Sequence, residues 1–348
     1  MTTVKSSVGE GDHYQNHPPI DAGSDSGSLA DISTKIANRL KEECQPRWIK
    51  NVPRDLHPLP PFLPKQEWTR LGDAIKHSEQ PTCAHIPGDK WISLRCDGTG
   101  FSKLTKRLQK EGVFSGTGYS NDFAACMQET CKELMVKFEA KCGYTQSDEM
   151  TILIPPASVA RGEQQPHKYN GRIAKLCSLA AATVTAKFNF ELMALCHRKQ
   201  IKNVNKLLGS SLPTFDCRVG VYDSEQEALS LILWRAYDCG INAVSDAVYK
   251  SGIAGAKQVL RLPTEQKLPW LMKNNLLPLP AHQREGTLWV KRKRTGSATN
   301  KITGELVTYV RGRIEKVEGN VLQLYKEDAL FPQDEALPER QEDNKRYS

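Results

Sequence analysis

Two kinds of hydrophobic periodicity alternate along the chain between residues 90 and 250. Apolar positions three and four apart predict helices, and short stretches in which apolar and polar residues alternate predict strands. The predicted elements are, in order, a strand at 90–96, helices at 101–112 and 121–141, a hairpin of 144–145 and 150–154, a helix at 170–197, a strand at 215–222 and a helix from 223 to 250. This β-α-β-β-α-β order is that of the ferredoxin-like α+β fold.

On either side of this region the pattern predicts additions to the main domain, which we place at 84–285. Residues 1–70 are rich in Ser, Gly and Asp and then in Pro, so we expect a flexible tail followed by an extended connector. Residues 286–325 contain two strongly basic strands and are predicted to form a β-hairpin extension. Residues 326–348 carry more acidic than basic side chains and are predicted to be a tail.

Composition excludes wholesale disorder, because 39% of the residues are hydrophobic and 25% are charged. A net charge of +8 permits a polyanionic partner. No run approaches ~18 consecutive apolar residues, so we expect no contact with a membrane. The N-terminus lacks the apolar segment of a secretory signal, and the ten cysteines include no Cys-x-x-Cys pair. We therefore expect reduced thiols and an intracellular protein, with a redox pair or a zinc site as alternatives.

Two acidic residues fall where this fold would bring them together. In a ferredoxin-like sheet the first and third strands are central neighbours, so the end of the first strand meets the turn of the following hairpin. Asp97 lies at the first place and Asp148 at the second. Mg²⁺ prefers hard oxygen ligands, and a pair of ions can stabilise both the attacking and the leaving oxygens of an in-line displacement. The pattern predicts a phosphoryl-transfer or nucleotidyl-transfer site that uses two Mg²⁺ ions.

The residues around Asp97 suit a phosphate ligand. Gly98 and Gly100 would let the backbone approach phosphates closely. The next helix begins near Phe101, so its unpaired N–H groups and its dipole favour an anion there. Arg172 and Lys175 lie three residues apart on one face of a long helix and could reach a triphosphate.

These motifs resemble those of the tRNA(His) guanylyltransferase family, the 3′-to-5′ nucleotide-adding polymerases. The resemblance covers about residues 84–294. The matching segments are Leu94–Phe101, Gln146–Glu149, Gly171–Lys175, Pro213–Val219, Trp234–Arg235, Gly240–Asn242, Met272–Lys273 and Arg284–Thr287. It implies a polymerase palm working in the opposite direction. The 5′ end of a tRNA would be activated, often by ATP, and the 3′-hydroxyl of an incoming nucleotide such as GTP would attack the activated phosphate.

The resemblance also implies roles for individual residues. Asp97, Asp148 and the carbonyl of Gly98 match metal ligands, and Glu149 matches the second acid of the Ser-Asp-Glu motif, which we assign to catalysis. The residues that match triphosphate contacts are Thr99, Gly100, Phe101, Ser102 and Ser147, with Arg172 and Lys175 added from the helix-start motif. Since family members are commonly tetramers or dimers, a homo-oligomer is expected.

Several positions depart from the family pattern. The family's His-Ile-Asn-Asn segment has Gly240 in place of His and Ala243 in place of the second Asn. The lysine of a Lys-Pro-Asn-Asp segment is replaced by Tyr119, and the first Arg of an Arg-Arg pair is replaced by Gly171. The metal site is retained while nucleotide and tRNA contacts are altered. This favours the guanylyltransferase-like branch, which repairs tRNA 5′ ends by templated addition, over strict addition of one G to tRNA(His).

The basic hairpin gives a second, weaker indication of an RNA partner. Its cations lie in Trp289–Arg294 and at Lys301, Arg311 and Arg313, and Trp289 and Tyr309 could stack on bases. A solvated face or a nuclear localisation signal would give the same pattern. Two other functions remain open at this point: another palm-type enzyme such as a nucleotide cyclase, or a non-catalytic RNA-binding module built on a decayed palm.

Overall fold

The computed structural model describes residues 28–42, 65–78, 85–114, 120–202, 204–209, 212–300, 302–331 and 335–336. Its helices are α1 (Leu29–Glu42), α2 (Lys65–Ser78), α3 (Phe101–Lys110), α4 (Asn121–Phe138), α5 (Ile173–Arg198), α6 (Val204–Leu208), α7 (Glu225–Lys250), α8 (Ala256–Val259), α9 (Thr264–Lys273), α10 (Ala281–Arg284) and α11 (Val321–Lys326). Its strands are β1 (Trp91–Thr99), β2 (Cys142–Gln146), β3 (Glu149–Ile154), β4 (Val159–Ala160), β5 (Glu163–Gln164), β6 (Thr214–Tyr222), β7 (Thr287–Thr299), β8 (Leu306–Val317) and β9 (Glu335–Ala336).

The main sheet has the order β6-β1-β3-β2-β7-β8, and each neighbouring pair is antiparallel. β9 adds to β7 in parallel. The first four strands in this order, with α3 and α4 after β1 and α5 after β3, form the ferredoxin-like α+β arrangement that the element order predicts. β1 and β3 are central neighbours, as expected.

The two faces of the sheet are covered by different helices. On one face, Leu94 and Cys96 of β1 pack in a core with α3, α4 and α5. On the other face, Trp91 and Tyr222 join a core with α1, α2, α7 and α11. Because successive side chains of a strand point to opposite faces, each strand buries residues on both sides. A third, smaller cluster packs the end of α7 against α8 and α9.

The expectation of a flexible tail over 1–70 is wrong for two segments. α1 and α2 pack on the sheet through narrow apolar stripes in which Leu40, Trp68 and Leu71 are buried. Trp68 stacks on Tyr237 of α7 with ring centroids 4.8 Å apart. The apolar residues of both helices recur at three- and four-residue spacing, and the expectation of a tail rests instead on the Ser, Gly, Asp and Pro content of the surrounding sequence. The rest of that expectation, including the Pro-rich connector over 43–64, lies outside the described residues.

The C-terminal expectation also needs correction. Leu330 is buried in the same core as α1, so the start of the segment 326–348 belongs to the fold. Most of the remaining tail lies outside the described residues.

Helix ends differ from the expected bounds by a few residues. The N-cap of α4 is Ser120, whose hydroxyl accepts from the N–H of Asp122 at 3.1 Å. α7 begins with a capping box, in which Ser224 accepts from the N–H of Glu227 at 3.2 Å. α5 is the one helix in the described ranges whose length and apolar composition would suffice to cross a membrane, and here one side of it is buried against the sheet.

The basic hairpin is longer than expected and extends the sheet. Residues 287–290 of β7 pair with β2, and beyond them β7 continues with β8 as a ribbon, which β9 joins at residues 294–295. Gly286 precedes β7 with φ +68°, and a Cβ there would lie 2.2 Å from the Tyr144 hydroxyl. That hydroxyl donates to the carbonyl of Glu285 at 2.8 Å, which fixes the start of β7 beside β2.

Candidate active site

The register of three strands sets Asp97 at the centre of an acidic row. Asp97 on β1 lies opposite Glu149 on β3 and opposite Asp216 on β6. The N–H of Gly98 donates to the carbonyl of Asp148 at 3.1 Å, so the end of β1 is joined to the β2–β3 turn. The structure therefore brings Asp97 and Asp148 to one edge of the sheet, as their places in the sequence predict.

The surroundings of these two carboxyl groups disfavour their charged forms. Burial, followed by the charges of Asp148, Glu149 and Asp216, raises the pKa of Asp97 to about 6. Burial also raises the pKa of Asp148, although a hydrogen bond from Ser147 opposes the shift. Each carboxyl would be relieved of this cost by a bound cation. Clustered, partly desolvated acids with raised pKa values are typical of functional sites.

The donor set fits Mg²⁺ better than a soft transition metal. The described ranges contain no group of three or more His, Cys, Asp or Glu residues arranged to hold a metal ion. Mg²⁺ is usually held by one or two carboxylates, with water and substrate phosphates completing its coordination. Asp97 and Asp148, with the adjoining carbonyl of Gly98, match that requirement. A structural zinc site, which needs four nitrogen or sulfur ligands, does not match it.

The backbone after Asp97 leads directly into the N-terminus of α3. A Cβ at Gly98 would lie 2.4 Å from the Phe101 ring, so glycine permits this close turn. Phe101 itself is buried and packs against Phe188 and Phe215, with ring centroids 5.3 and 4.9 Å apart. Its side chain is therefore part of the core, and only its backbone can meet a ligand. The first N–H groups of α3 lack partners within the helix and are suited to phosphate oxygens.

The other predicted triphosphate contacts surround this helix start. Thr99, Gly100 and Ser102 are exposed, and Gly100 has φ +71°. Ser147 is half-buried in the β2–β3 turn, where its hydroxyl donates to the Asp148 carboxylate at 2.9 Å. These residues share one edge of the molecule with Asp97, and their roles toward a triphosphate stay a prediction.

Two cavities open on either side of the β2–β3 turn. The larger, about 670 Å³, lies beside α3 and is lined by residues that include Ser102, Lys106 and Tyr249. The smaller, about 270 Å³, lies beside α7 and includes Asp97 and Asn242 in its lining. The walls of both cavities contain Ser147, Asp148 and Asp246. The larger space is of the size that small-molecule ligands occupy. Asp148 lies at its boundary, whereas Asp97 lines the smaller space.

The carboxylate of Glu149 is held by two arginine side chains. Arg235 donates from Nε to Glu149 Oε1 at 2.6 Å, and an Arg95 guanidinium nitrogen lies 3.6 Å from Oε2. The side chains of Glu149, Arg95 and Arg235 are only 10%, 7% and 11% exposed. Both guanidinium groups also lie over the ring of Trp234. The geometry identifies Glu149 as an anchor between two buried cations, and its assignment to catalysis gains no support from the structure.

Arg172 and Lys175 lie at the opposite end of the sheet from the acidic row. Arg172 pairs with His85, and the N–H of Ile86 donates to the carbonyl of Gly171 at 2.9 Å, just before β1 begins. Six residue steps along β1 then lead from Trp91 to Asp97, a distance of about 20 Å. The structure therefore corrects the expectation that these cations reach a triphosphate in the site of their own chain. The three-residue spacing places Arg172 and Lys175 on one face of α5. It does not determine at which end of the sheet that part of α5 lies.

α7 supplies two functional candidates that the sequence motifs do not reveal, Asp246 and Tyr249, close to Asn242 of the matching segment Gly240–Asn242. Asn242, Asp246 and Tyr249 follow one face of this mostly apolar helix and border the cavities. Lys106 of α3 donates to the Tyr249 hydroxyl at 3.1 Å and lowers the pKa of that phenol. A polar stripe at three- and four-residue spacing on an otherwise buried helix is the signal that could have identified them.

The cysteines show no second chemistry in the described part of the chain. The eight described there are free, and most of them are buried. Burial raises the pKa values of Cys126 and Cys142 to about 12, so neither thiol is poised to act as a nucleophile.

Comparisons with known proteins find several that are similar to this chain. Residues 72–223 match the family model described as "Thg1: tRNAHis guanylyltransferase". An uncharacterised protein of Acanthamoeba polyphaga mimivirus is 27% identical over 67% of this chain and 81% of its own length. The tRNA(His) guanylyltransferase of Debaryomyces hansenii is 27% identical over 48% of this chain and 58% of its own length.

Among solved structures, a bacterial tRNA(His) guanylyltransferase-like protein in complex with ATP is similar. It is 27% identical with a TM-score of 0.49, and the match covers 63% of this chain and 88% of that chain.

Proposed function

The chain belongs to the tRNA(His) guanylyltransferase family, and on that premise we propose that it adds nucleotides to the 5′ end of tRNA in the 3′-to-5′ direction with Mg²⁺ as cofactor. The incoming nucleotide would be a nucleoside triphosphate such as GTP, and ATP would serve for activation of the 5′ end. As a member of this family the chain is a nucleotidyltransferase of the tRNA(His) guanylyltransferase type.

The observation that carries the proposal is the meeting of Asp97 and Asp148 through the 3.1 Å bond from Gly98 to the β2–β3 turn. Asp148 lines a cavity of about 670 Å³ whose wall also includes Phe101 and Ser102 at the start of α3, and Asp97 lines the neighbouring cavity of about 270 Å³. Oxygen ligands, free backbone N–H groups and a ligand-sized space are the three requirements of a site for a metal-bound triphosphate.

The residues of the chain would share the work as follows. Asp97 and Asp148, with the Gly98 carbonyl, would hold Mg²⁺, which neutralises charge on phosphate oxygens when bound. The N–H groups at the start of α3 and the hydroxyls of Thr99 and Ser102 would orient the triphosphate. Since phosphoryl transfer depends mainly on positioning and electrostatic stabilisation, this division leaves little covalent chemistry to the protein.

Departures from the family pattern support 5′-end repair over addition of a single G. Gly240 and Ala243 replace a histidine and an asparagine of the family motif on α7. Ala243 lines the smaller cavity, and Gly240 is buried nearby in the same helix. The absence of two polar side chains at this position removes interactions that a single obligatory nucleotide would use, while the acidic row is retained. We propose templated addition of more than one kind of nucleotide.

The test is a nucleotide-addition assay on tRNAs that lack their 5′ nucleotide. Purified protein is incubated with Mg²⁺, ATP and one labelled nucleoside triphosphate at a time, over a panel of tRNAs. We expect addition of the nucleotide that pairs with the opposing 3′-side base, and its loss in Asp97→Ala and Asp148→Ala. Asp223→Asn, which neutralises an exposed acid at the other end of the sheet, is the matched control and should leave addition unchanged.

Each negative outcome of this assay would indicate a different function or mechanism. Absence of addition by the unmodified chain, together with tight tRNA binding, would indicate a non-catalytic RNA-binding module. A cyclic nucleotide formed from GTP without RNA would indicate a cyclase-like palm enzyme. Equal addition by Asp97→Ala and the unmodified chain would remove the acidic row from the mechanism.

A further inference from the structure

The ribbon formed by β7 and β8 is the most basic part of the described chain. Residues 291–316 contain eight Lys or Arg residues and two Glu residues. This segment lies outside residues 72–223, which match the family model, so its role is not given by that match. Lys291, Lys293 and Arg313 are exposed, with Arg313 at 70%.

The register of the ribbon distributes its charge over both faces. Trp289 and Ile314 pack on the side of α4 and α5, so alternation places Lys291 and Lys293 on that same side. Arg292 lies on the other side, directly opposite Arg313. Directly opposed like charges destabilise a strand pair, so this arrangement suits a polyanionic ligand.

A single acid on the ribbon offsets this pair of arginines in part. Glu315 lies 3.4 Å from Arg292 and 3.9 Å from Arg313. Arg292 and Arg313 together therefore carry one positive charge more than Glu315 neutralises.

The ribbon leaves the sheet at the end remote from the acidic row. β7 begins with Thr287 opposite Thr145, two residues before the turn that starts at Ser147, and runs away from that turn. At about 3.4 Å per residue, Lys291 to Lys293 lie about 14–20 Å from the start of the strand. A nucleotide bound beside Asp97 cannot touch these cations, although a longer RNA held at the same edge can.

Arg172 and Lys175 lie at the same remote end of the sheet. Val290 lies opposite Cys142 at the start of β2, and the N–H of Lys291 donates to the carbonyl of Lys141 at 2.8 Å. The adjoining surface carries Lys168, which is ion-paired with Glu139. Cations from α5 and from the ribbon therefore border one end of the molecule.

We infer that the β7–β8 ribbon and the cations at the start of α5 form a binding surface for the double-helical body of the RNA, about 20 Å from the reacting 5′ end. The inference rests on the proposed function and adds to it a second binding surface, which recognises the length and the shape of the RNA stem. Phosphate contacts of this kind position a nucleic acid without reading its sequence. The chain would then prefer a folded RNA with a long stem over a short one.

The test uses hairpin RNAs that share one 5′ end and differ in stem length. Affinity, its salt dependence and the rate of nucleotide addition are measured for the unmodified chain and for the triple variant Lys291→Gln, Lys293→Gln, Arg313→Gln. This variant keeps the Arg292–Glu315 pair, so the ribbon retains its own ion pair. Lys35→Gln with Arg70→Gln, on exposed positions of α1 and α2, is the control.

We expect the affinity of the unmodified chain to rise once the stem exceeds about 20 Å and that of the triple variant not to rise. For long stems the variant should bind on the order of tenfold more weakly. The slope of its log affinity against log salt concentration should decrease in magnitude by about one for each phosphate that it no longer neutralises. On the shortest stem both proteins should add nucleotides at the same rate. The control should behave as the unmodified chain.

The outcomes separate the inference from the proposed function. Equal preference for long stems in the triple variant and the unmodified chain would overturn the inference while leaving the 5′-end chemistry intact. A change of oligomeric state in the triple variant, with an unaltered salt slope, would assign the ribbon to binding another protein and would also overturn it. Failure of every protein to add nucleotides to any stem would instead count against the proposed function.

Discussion

Neutralising Glu149 should unfold the protein more readily because two buried guanidinium groups would lose their counter-charge. Arg235 donates to Glu149 at 2.6 Å, and Arg95 lies 3.6 Å away from it. Removing one partner of a buried ion pair costs about 3–5 kcal/mol. In Glu149→Gln the amide oxygen can still accept one hydrogen bond, and Arg235 keeps Asp238 at 3.1 Å. We therefore expect a loss of about 3 kcal/mol, at the lower end of that range.

Equilibrium unfolding in urea measures this loss. The dependence of the unfolding free energy on urea concentration, obtained from the same curve, shows whether the surface exposed on unfolding is unchanged. Glu225→Gln is the matched control, because Glu225 pairs with Lys141 while 40% exposed. Solvent screening limits the worth of such a pair to about 1 kcal/mol or less. The change Arg235→Met should then cost less in the Glu149→Gln background than in the unmodified chain, since the two residues are coupled.

The same variant tests whether Glu149 is a metal ligand. With its carboxylate held by the two arginines, the Mg²⁺ concentration needed for half-maximal addition should change far less in Glu149→Gln than in Asp148→Asn. A loss of stability no greater than that of Glu225→Gln would refute the argument from burial. A Mg²⁺ requirement raised as much as in Asp148→Asn would show that Glu149 takes part in binding the metal.

Two further predictions concern the acidic row and the start of the ribbon. The pKa of Asp97 is about 6 in the fold and 3.8 unperturbed, so without metal this group favours folding below about pH 4, and that contribution is lost as the pH rises through about 6. Asp97→Asn should flatten this part of the stability profile, and a profile unchanged from the unmodified chain would contradict the assignment. Gly286→Ala should lower the free energy of unfolding in urea by about 1–3 kcal/mol, because the residue has φ +68° and a Cβ would clash with Tyr144. Gly162→Ala is the control, since nothing lies within 4 Å of a Cβ there. An equally small loss in both variants would show that the Tyr144 side chain moves aside without cost.

The core of the fold could be predicted from the sequence because its signals are local. β1 and β6 alternate, α4 and α5 show clear three- and four-residue spacing, and the element order selects one topology. That topology alone brings Asp97 and Asp148 together. α1 and α2 are amphipathic as well, but they lie in a segment whose Ser, Gly, Asp and Pro content predicts a tail and a connector, and their packing partner, the sheet face, is distant in sequence.

The supports of the site could not be predicted, because they join residues distant in sequence. Glu149 and Arg235 are 86 residues apart, and only the placement of α7 across the sheet brings them together. Arg172 shows the opposite error, in which a correct helix face is combined with the wrong end of the sheet. Sequence spacing fixes which side of an element a residue occupies, whereas its distance from another element depends on tertiary packing.

The outer strand of the ribbon has a consequence for solubility. Within the described ranges β8 is the last strand of the sheet, and it carries exposed Leu306 and Val310. An exposed apolar edge strand is a template for pairing with another chain, and charged side chains are the usual protection. Arg313 and Lys316 lie on this same strand and are exposed. Positive charges on this ribbon, to which we assign RNA binding, therefore also oppose the edge-to-edge pairing of two copies of the protein. Their removal should favour aggregation even where RNA is absent.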